Sequence, residues 1–287
     1  MKKTIRNALD DGVKTLSSNN ITDARLDADL LLEHVLGVDK VYIIINGNEL
    51  ISEEKYNIYN NLISERAKGR PLQYIIGYQE FMGLTFEVNE NVLIPRQDTE
   101  VLVLEAIKYI RENNITNILE IGTGTGCIPI SICYNCNDVK ATTVDISDEA
   151  LKIAKKNAII NNVADRIQFV RSNLFEGIDE KHEFQLFISN PPYIRSKDIG
   201  DLMIEVKEHE PIGALDGGED GLYFYREISK EVKKRTKIMS YILYEVGYDQ
   251  SGEVKKILNA LGYTDIKIYK DLAGVNRVVA GAYNREV

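Results

Sequence analysis

A doubly wound α/β sheet of seven mostly parallel strands, ending in an antiparallel hairpin and preceded by a small helical bundle, is the fold class this sequence predicts. Three observations carry that expectation. From Asp98 onward, short apolar runs alternate with helical segments, as in a parallel sheet joined by crossover helices. The last two runs, 264–269 and 277–283, are separated only by a short loop holding Gly274, too short for a crossover, so they should pair antiparallel. Before residue 75 the apolar spacing is helical throughout.

In the helical part, Leu26, Leu30, Leu31, Val35 and Leu36 recur at helical spacing between an opening Thr22-Asp23 and a closing Gly37. A later helix starts at Ser52, with Glu53 and Glu54 in the first turn where the helix dipole favours acids. Tyr56, Tyr59, Leu62 and Ile63 give its buried face, and Arg66, Lys68 and Gly69 mark its end. Leu84, Phe86 and Val88 alternate after Gly83 and read as a hairpin. The expected organisation is a helical domain over 1–75, a hairpin linker over 76–97 and an α/β domain over 98–287.

Within the α/β domain the remaining strand candidates are 117–121, 140–145, 167–170, 184–188 and 239–246. Helices are expected over Glu100–Arg111, Ile128–Cys136, Glu149–Asn161, Leu222–Lys233 and Glu253–Leu261. Ser147 caps the third of these, whose buried face is Leu151, Ala154 and Ala158. There are no internal repeats or low-complexity tracts.

Composition narrows the function. With 287 residues, 44% of them hydrophobic, the chain is long enough for a full core and for two domains. No apolar run reaches the length of a membrane span, and the start lacks a signal-peptide core, so a soluble cytoplasmic protein is expected. A net charge of −9 argues against a protein built mainly to grip a phosphate backbone. Cys133 and Cys136 form a lone CxxC in an expected helix, and His34, His182 and His209 show no ligand spacing; buried thiols and no metal site are the reading.

Two motifs carry chemistry. Strand 117–121 runs into Gly122-Thr123-Gly124-Thr125-Gly126, where missing Cβ atoms let the backbone turn tightly and approach a ligand. Cys127 stands where a dinucleotide fingerprint needs glycine, and the lysine of a phosphate loop is absent. Asp145 ends the next strand, where a carboxylate can accept both hydroxyls of a ribose. Asn173, after the third strand, can bond an adenine edge, and Leu174 offers an apolar face. These residues describe an adenosine-containing ligand with no phosphate requirement, and S-adenosylmethionine fits.

The second motif is Asn190-Pro191-Pro192-Tyr193, just beyond the apolar run Phe184–Ile188. Two prolines cannot continue a helix or a central strand, so Asn190 stands on a stiff extended loop at a strand's carboxyl end, where ligands of open α/β sheets bind. An amide held there beside an aromatic ring can grip a planar group carrying an NH₂. The tetrapeptide could also do no more than stop a strand, but a donor site beside it favours the clamp.

With these residues the chain resembles the class I methyltransferases with a Rossmann-like sheet, specifically the release factor glutamine N5-methyltransferase family (HemK/PrmC). The resemblance extends over nearly the whole chain. It includes Gly69-Arg70-Pro71-Leu72-Gln73-Tyr74, Ile94-Pro95-Arg96 with Asp98-Thr99-Glu100, Glu210-Pro211, Gly217-Gly218, Gly221-Leu222, Glu245-Val246-Gly247 with Gln250, and Asp271, Gly274 and Arg277. Gln97 replaces the family's usual proline, and Glu120 and Asn173 replace aspartates. An asparagine carbonyl still accepts a bond from the adenine amino group.

The resemblance implies methyl transfer from S-adenosylmethionine to the side-chain amide of the glutamine in the Gly-Gly-Gln motif of class 1 peptide chain release factors, with the helical domain helping to dock that protein substrate. It assigns Gly122 to Gly126, Asp145, Asn173, Leu174 and Asn190 to the cofactor, and Asn190, Pro191, Pro192 and Tyr193 to the substrate, with Asn190, Pro191 and Tyr193 catalytic. The side-chain carbonyl of Asn190 and the backbone carbonyl of Pro191 would each take one N–H, while Tyr193 packs on the flat amide. No general base is demanded. A DNA adenine methyltransferase would face the same chemistry but needs a basic recognition region, and Lys233-Lys234-Arg235-Lys237 is a short run more in keeping with a solvated helix end. An NAD-dependent oxidoreductase is disfavoured by Cys127.

Overall fold

The computed structural model describes residues 3–236 and 239–284. It divides into two compact units: the chain up to Gly77 together with Met203–His209, and Tyr78–Leu202 together with the chain from Glu210 onward.

The helical unit holds α1 (Ile5–Ser18), α2 (Ala24–Leu36), α3 (Lys40–Ile45), α4 (Glu53–Ala67) and α5 (Leu72–Ile76). Local chemistry sets these boundaries. The Thr4 hydroxyl accepts from the Asn7 N–H and the Asn7 side chain answers in a capping box, Ser52 accepts from Lys55 N, and Gly37 closes α2 at φ 71°. Leu9, Leu16, Leu31, Leu32, Tyr59 and Ile63 fill the core.

Two expectations change here. Leu26 is exposed, and Asp23 makes no side-chain cap bond; α2 turns Ala24, Asp27, Ala28 and Leu31 inward instead. The cause is Arg66. Read from sequence only as marking the end of α4, it is buried, and its Nε donates to Asp27 Oδ2 at 2.6 Å, so Asp27 must face in. Its Nη1 and Nη2 both reach Glu205 Oε1 at 3.2 Å, from the Met203–His209 segment. Removing one partner of a buried ion pair strands the others in low dielectric. Arg66→Ala is therefore expected to lower stability by about 3–5 kcal/mol in chemical unfolding.

The second unit opens with the hairpin β1 (Tyr78–Phe81) and β2 (Leu84–Glu87). There follow α6 (Asp98–Asn113), β3 (Asn117–Ile121), α7 (Cys127–Asn135), β4 (Lys140–Asp145), α8 (Asp148–Ile160), β5 (Ile167–Arg171) and β6 (Leu186–Ser189). One-turn α9 (Ile204–Lys207) lies in the segment that joins the helical unit. Then come α10 (Tyr223–Arg235), β7 (Ser240–Glu245), α11 (Ser251–Ala260), β8 (Thr264–Lys270) and β9 (Asn276–Tyr283).

The sheet order is β5-β4-β3-β6-β7-β9-β8. The five strands from β5 to β7 are parallel, and β9 runs antiparallel to both β7 and β8. This is the doubly wound sheet with a terminal hairpin that the sequence predicts. Strand residues alternate between two cores: Ile118, Leu186, Ile188 and Leu243 face α6 and α7, while Leu119, Phe187, Ile242 and Tyr244 face α10 and α11. β6 begins at Leu186 rather than Phe184; just before it, the Gln185 backbone still bonds Asn117 O and Tyr241 N at 3.0 and 2.9 Å, and its Oε1 accepts from the N–H groups of Thr116 and Asn117 at the start of β3. Cys133 and Cys136 are buried, and burial pushes the Cys133 thiol up to about 12. No helix of the described residues is long and apolar enough to cross a membrane.

The chain turns one way from β3 through β4 to β5, then returns to place β6 on the other side of β3. That reversal opens a crevice at the carboxyl ends of β3 and β6. The glycine loop follows β3 and Asn190 follows β6, so the topology alone sets the two motifs side by side.

Candidate active site

A cavity of about 450 Å³ occupies this crevice, within the roughly 300–1,000 Å³ typical of small-molecule sites. Of the sequence-predicted residues, Gly122, Thr123, Gly124, Thr125, Asp145, Asn173, Leu174, Asn190, Pro191 and Pro192 line it. Gly126 and Tyr193 do not.

Gly126 caps α7 at φ 79°, and a Cβ there would stand 3.1 Å from that of Ala154. There it packs the loop closely onto α8. Asn157 of α8, fully buried, donates to Thr125 O and Glu87 O at 3.0 Å and accepts from Glu87 N at 2.7 Å, tying the glycine loop to β2. Nothing local in the sequence marks that asparagine.

Asp145 accepts from Gly124 N at 3.0 Å through Oδ2 and from Ser147 N at 2.9 Å through Oδ1. A carboxylate has about four lone-pair sites, so both oxygens retain capacity for a diol. Asn173 Nδ2 donates to Glu176 Oε1 at 2.9 Å, which leaves its amide oxygen as the acceptor for an amino group. Leu174 sits at φ 51°, an unusual conformation for a non-glycine residue, with its carbonyl held by the Ser172 hydroxyl at 2.8 Å. Strain of this kind gathers where a side chain has to be presented to a ligand.

Glu120 was noted in the sequence only as a departure from a family pattern. It is 1% exposed, one oxygen accepts from the Thr143 hydroxyl, and Oε1 has no hydrogen-bond partner. Burial raises its pKa well above the usual carboxylate range. A buried acceptor without a partner on a cavity wall suits a cationic ligand group.

Asn190 Nδ2 donates to Thr99 Oγ1 at 3.2 Å. Glu245, at the end of β7, lies against both residues; it is 2% exposed and its Oε2 has no hydrogen-bond partner. Burial pushes the Glu245 carboxyl up to about 7, against the opposing pull of Thr99, the Arg277 charge and Asn190. Glu245 ends a strand just as Asp145 does. The position rule that singled out Asp145 could have found it; Thr99, on α6, gave no local signal.

Tyr193 departs from expectation. Its ring packs against the core beside α10 and α11 instead of facing the cavity, and burial raises its pKa. Its carbonyl accepts from Gln250 Nε2 at 2.8 Å, and Gln250 Oε1 accepts from Gly247 N at 3.1 Å. The ring and the clamp fix the proline loop from behind. Gly217 completes the support: a Cβ there would stand 2.7 Å from both Pro192 O and Tyr193 Cα, backbone atoms that cannot step aside cheaply. Since a shift of about 1 Å in a positioned group can cost 10²-fold, Gly217→Ala is expected to cut turnover by about that factor while leaving the glycine loop's ligand affinity intact. Steady-state kinetics beside calorimetry checks both halves.

Comparison with known proteins gives the family. Residues 7–77 match the family described as PrmC N-terminal domain, and residues 98–209 match the methyltransferase small domain. A release factor glutamine methyltransferase of Clostridium botulinum is 40% identical over 276 residues, spanning 96% of this chain and 98% of that one. The chain belongs to the release factor glutamine methyltransferase family. Another member, from Geobacter sulfurreducens, is 37% identical over 97% of this chain and 96% of its own length. A methyltransferase structure from Pyrococcus furiosus shares the fold at a TM-score of 0.51 and 16% identity, covering 78% of this chain and 99% of that one. In this release factor glutamine methyltransferase, the cavity and the stiff proline loop lie side by side at the carboxyl ends of β3 and β6.

Proposed function

We propose that this enzyme transfers a methyl group from S-adenosylmethionine to the side-chain amide nitrogen (N5) of the glutamine in the Gly-Gly-Gln motif of class 1 release factors. The observation that carries the reading is the placement of Asn190 and Pro191 on the wall of a cavity whose other walls suit an adenosine bearing a cation. Asp145 offers acceptors for the ribose hydroxyls, Asn173 an acceptor for the adenine amino group, Leu174 an apolar face, and Glu120 a buried acceptor without a partner for a positive group. These residues fit S-adenosylmethionine, which when bound supplies an electrophilic methyl on a sulfonium.

An amide nitrogen is a poor nucleophile because its lone pair is delocalised into the carbonyl. The protein's task is to bind the NH₂ rigidly and to favour a geometry in which that lone pair is available. Asn190 Oδ1 and Pro191 O are the two acceptors for its two hydrogens. The paired prolines keep those acceptors stiff, so little order is lost when substrate arrives. Positioning of this kind can account for roughly 7–11 kcal/mol of a barrier in favourable cases. Tyr193, from behind the loop, would hold the acceptors in register through its half-buried ring and the Gln250 clamp.

The test is transfer of radiolabelled methyl from S-adenosylmethionine to a purified class 1 release factor, with double-stranded DNA as a parallel acceptor. Label on the release factor supports the reading; label on DNA and none on protein would overturn it.

A further inference from the structure

Resting on the methyl-transfer reading above, we propose that Thr99 and Glu245 are positioning residues that set which way round the Asn190 amide sits, so that its oxygen and not its NH₂ is offered to the substrate. The argument begins with a symmetry problem. An asparagine amide is nearly the same shape either way round, yet only one orientation can accept an N–H. A loop stiffened by prolines fixes where the amide is and does not fix its rotation about χ2.

The groups behind Asn190 supply the missing asymmetry. An ionised carboxylate can only accept. With Glu245 ionised, the Thr99 hydroxyl turns its hydrogen toward that carboxylate and keeps its lone pairs for Asn190 Nδ2, which donates to it at 3.2 Å. The NH₂ end is then committed to the interior and Oδ1 to the cavity. A protonated Glu245 can donate to Thr99, and the hydroxyl then serves as donor as readily as acceptor. The preference for one amide orientation is lost. Glu245 does not line the cavity, so it acts through Asn190 rather than on the substrate.

The surroundings of Glu245 let this control operate near neutral pH. Asp98 and Thr99 face it from α6, Asn190 and Tyr193 from the loop after β6, Arg277 from β9, Tyr225 from α10 and Cys127 from α7. Arg277 is paired with Asp98 at 2.9 Å and with Asp271 at 3.0 Å, so its charge is shared and cannot by itself hold Glu245 ionised at low pH. Burial pushes the Cys127 thiol up to about 12 and raises Tyr193 and Tyr225, which keeps all three neutral across the working range. Glu245 itself, pushed up to about 7 by burial, changes charge in that range.

The experiment is a pH profile of kcat for the full-length enzyme with saturating S-adenosylmethionine and release factor. The wild type is expected to lose activity as pH falls through about 7. Glu120 and Glu210 are also raised by burial, so variants assign the limb. Glu245→Gln should lower kcat by about ten- to a hundred-fold, leave the S-adenosylmethionine Kd unchanged, and abolish the acid limb. Thr99→Val should lower kcat similarly, and Thr99→Ser, which restores the hydroxyl, should recover it. An acid limb that persists unchanged in Glu245→Gln, or Thr99→Val with wild-type kcat, would overturn the proposal, and a wild-type profile flat across neutral pH would do so without any variant. Wild-type enzyme that transfers no methyl to the release factor contradicts the underlying functional reading instead, so the two failures are told apart.

Discussion

Replacing Asn190 with alanine is expected to lower methyl transfer by about 10²–10³-fold, the range seen when one preorganised hydrogen-bonding group is removed from a reacting centre. The cost arises in kcat. Pro191 O would remain as one acceptor, but the amide NH₂ could then rotate, and the orientation in which its lone pair is available would be one among several. S-adenosylmethionine binding should survive, because Asp145, Asn173, Leu174 and Glu120 all stay in place. Raising the cofactor concentration should therefore not rescue the variant. Thr99, left without its Asn190 partner, has Glu245 beside it, so the fold should tolerate the change. Calorimetry with S-adenosylmethionine and single-turnover transfer to a release factor separate the two quantities.

Asp145→Ala should fail in the opposite way. Hydrogen bonds to a charged group are worth about 1.5–3 kcal/mol each, and Asp145 has free capacity for two ribose hydroxyls. It also receives the Gly124 and Ser147 N–H groups, so its loss loosens the glycine loop it helps to shape. A rise of about 10²-fold in the cofactor Kd is expected, with kcat largely restored once cofactor is saturating. Together the two variants form a cross-check: one is rescued by cofactor and one is not. A single result common to both would mean that the cavity and the proline loop are not the separate binding and reacting parts described above.

The legibility of this molecule divides along the range of the interactions involved. The sheet was readable because each parallel strand is buried on both faces and each crossover helix carries its own periodicity; Leu119 and Phe187, Ile118 and Leu186 had to be apolar wherever the strands lay. The placement of Asp145, Asn173 and Asn190 on the cavity wall was readable because a strand's carboxyl end is a topological position that sequence reveals. What escaped was set by contacts between distant segments. Arg66 reads only as part of a helix end until Asp27 and Glu205 are seen around it. Thr99 looks like an ordinary residue in the first turn of α6, and its meaning depends on Asn190 and Glu245 arriving from β6 and β7. Tyr193 was assigned to the substrate because an aromatic ring beside an NH₂ clamp suggests stacking. With Gly217 close and Gln250 gripping its carbonyl, the half-buried ring packs against the core and off the cavity wall.

The central claim is that the proline loop presents its acceptors to a glutamine side-chain amide. Fragmentation mass spectrometry of a release factor after reaction with this enzyme and S-adenosylmethionine tests it most directly. A single added methyl on the side-chain nitrogen of the glutamine in the Gly-Gly-Gln motif, absent when that glutamine is replaced by alanine and lost with Asn190→Ala enzyme, is the expected result. Methyl on a lysine, arginine or backbone position, or undiminished transfer by the Asn190→Ala enzyme, would contradict it.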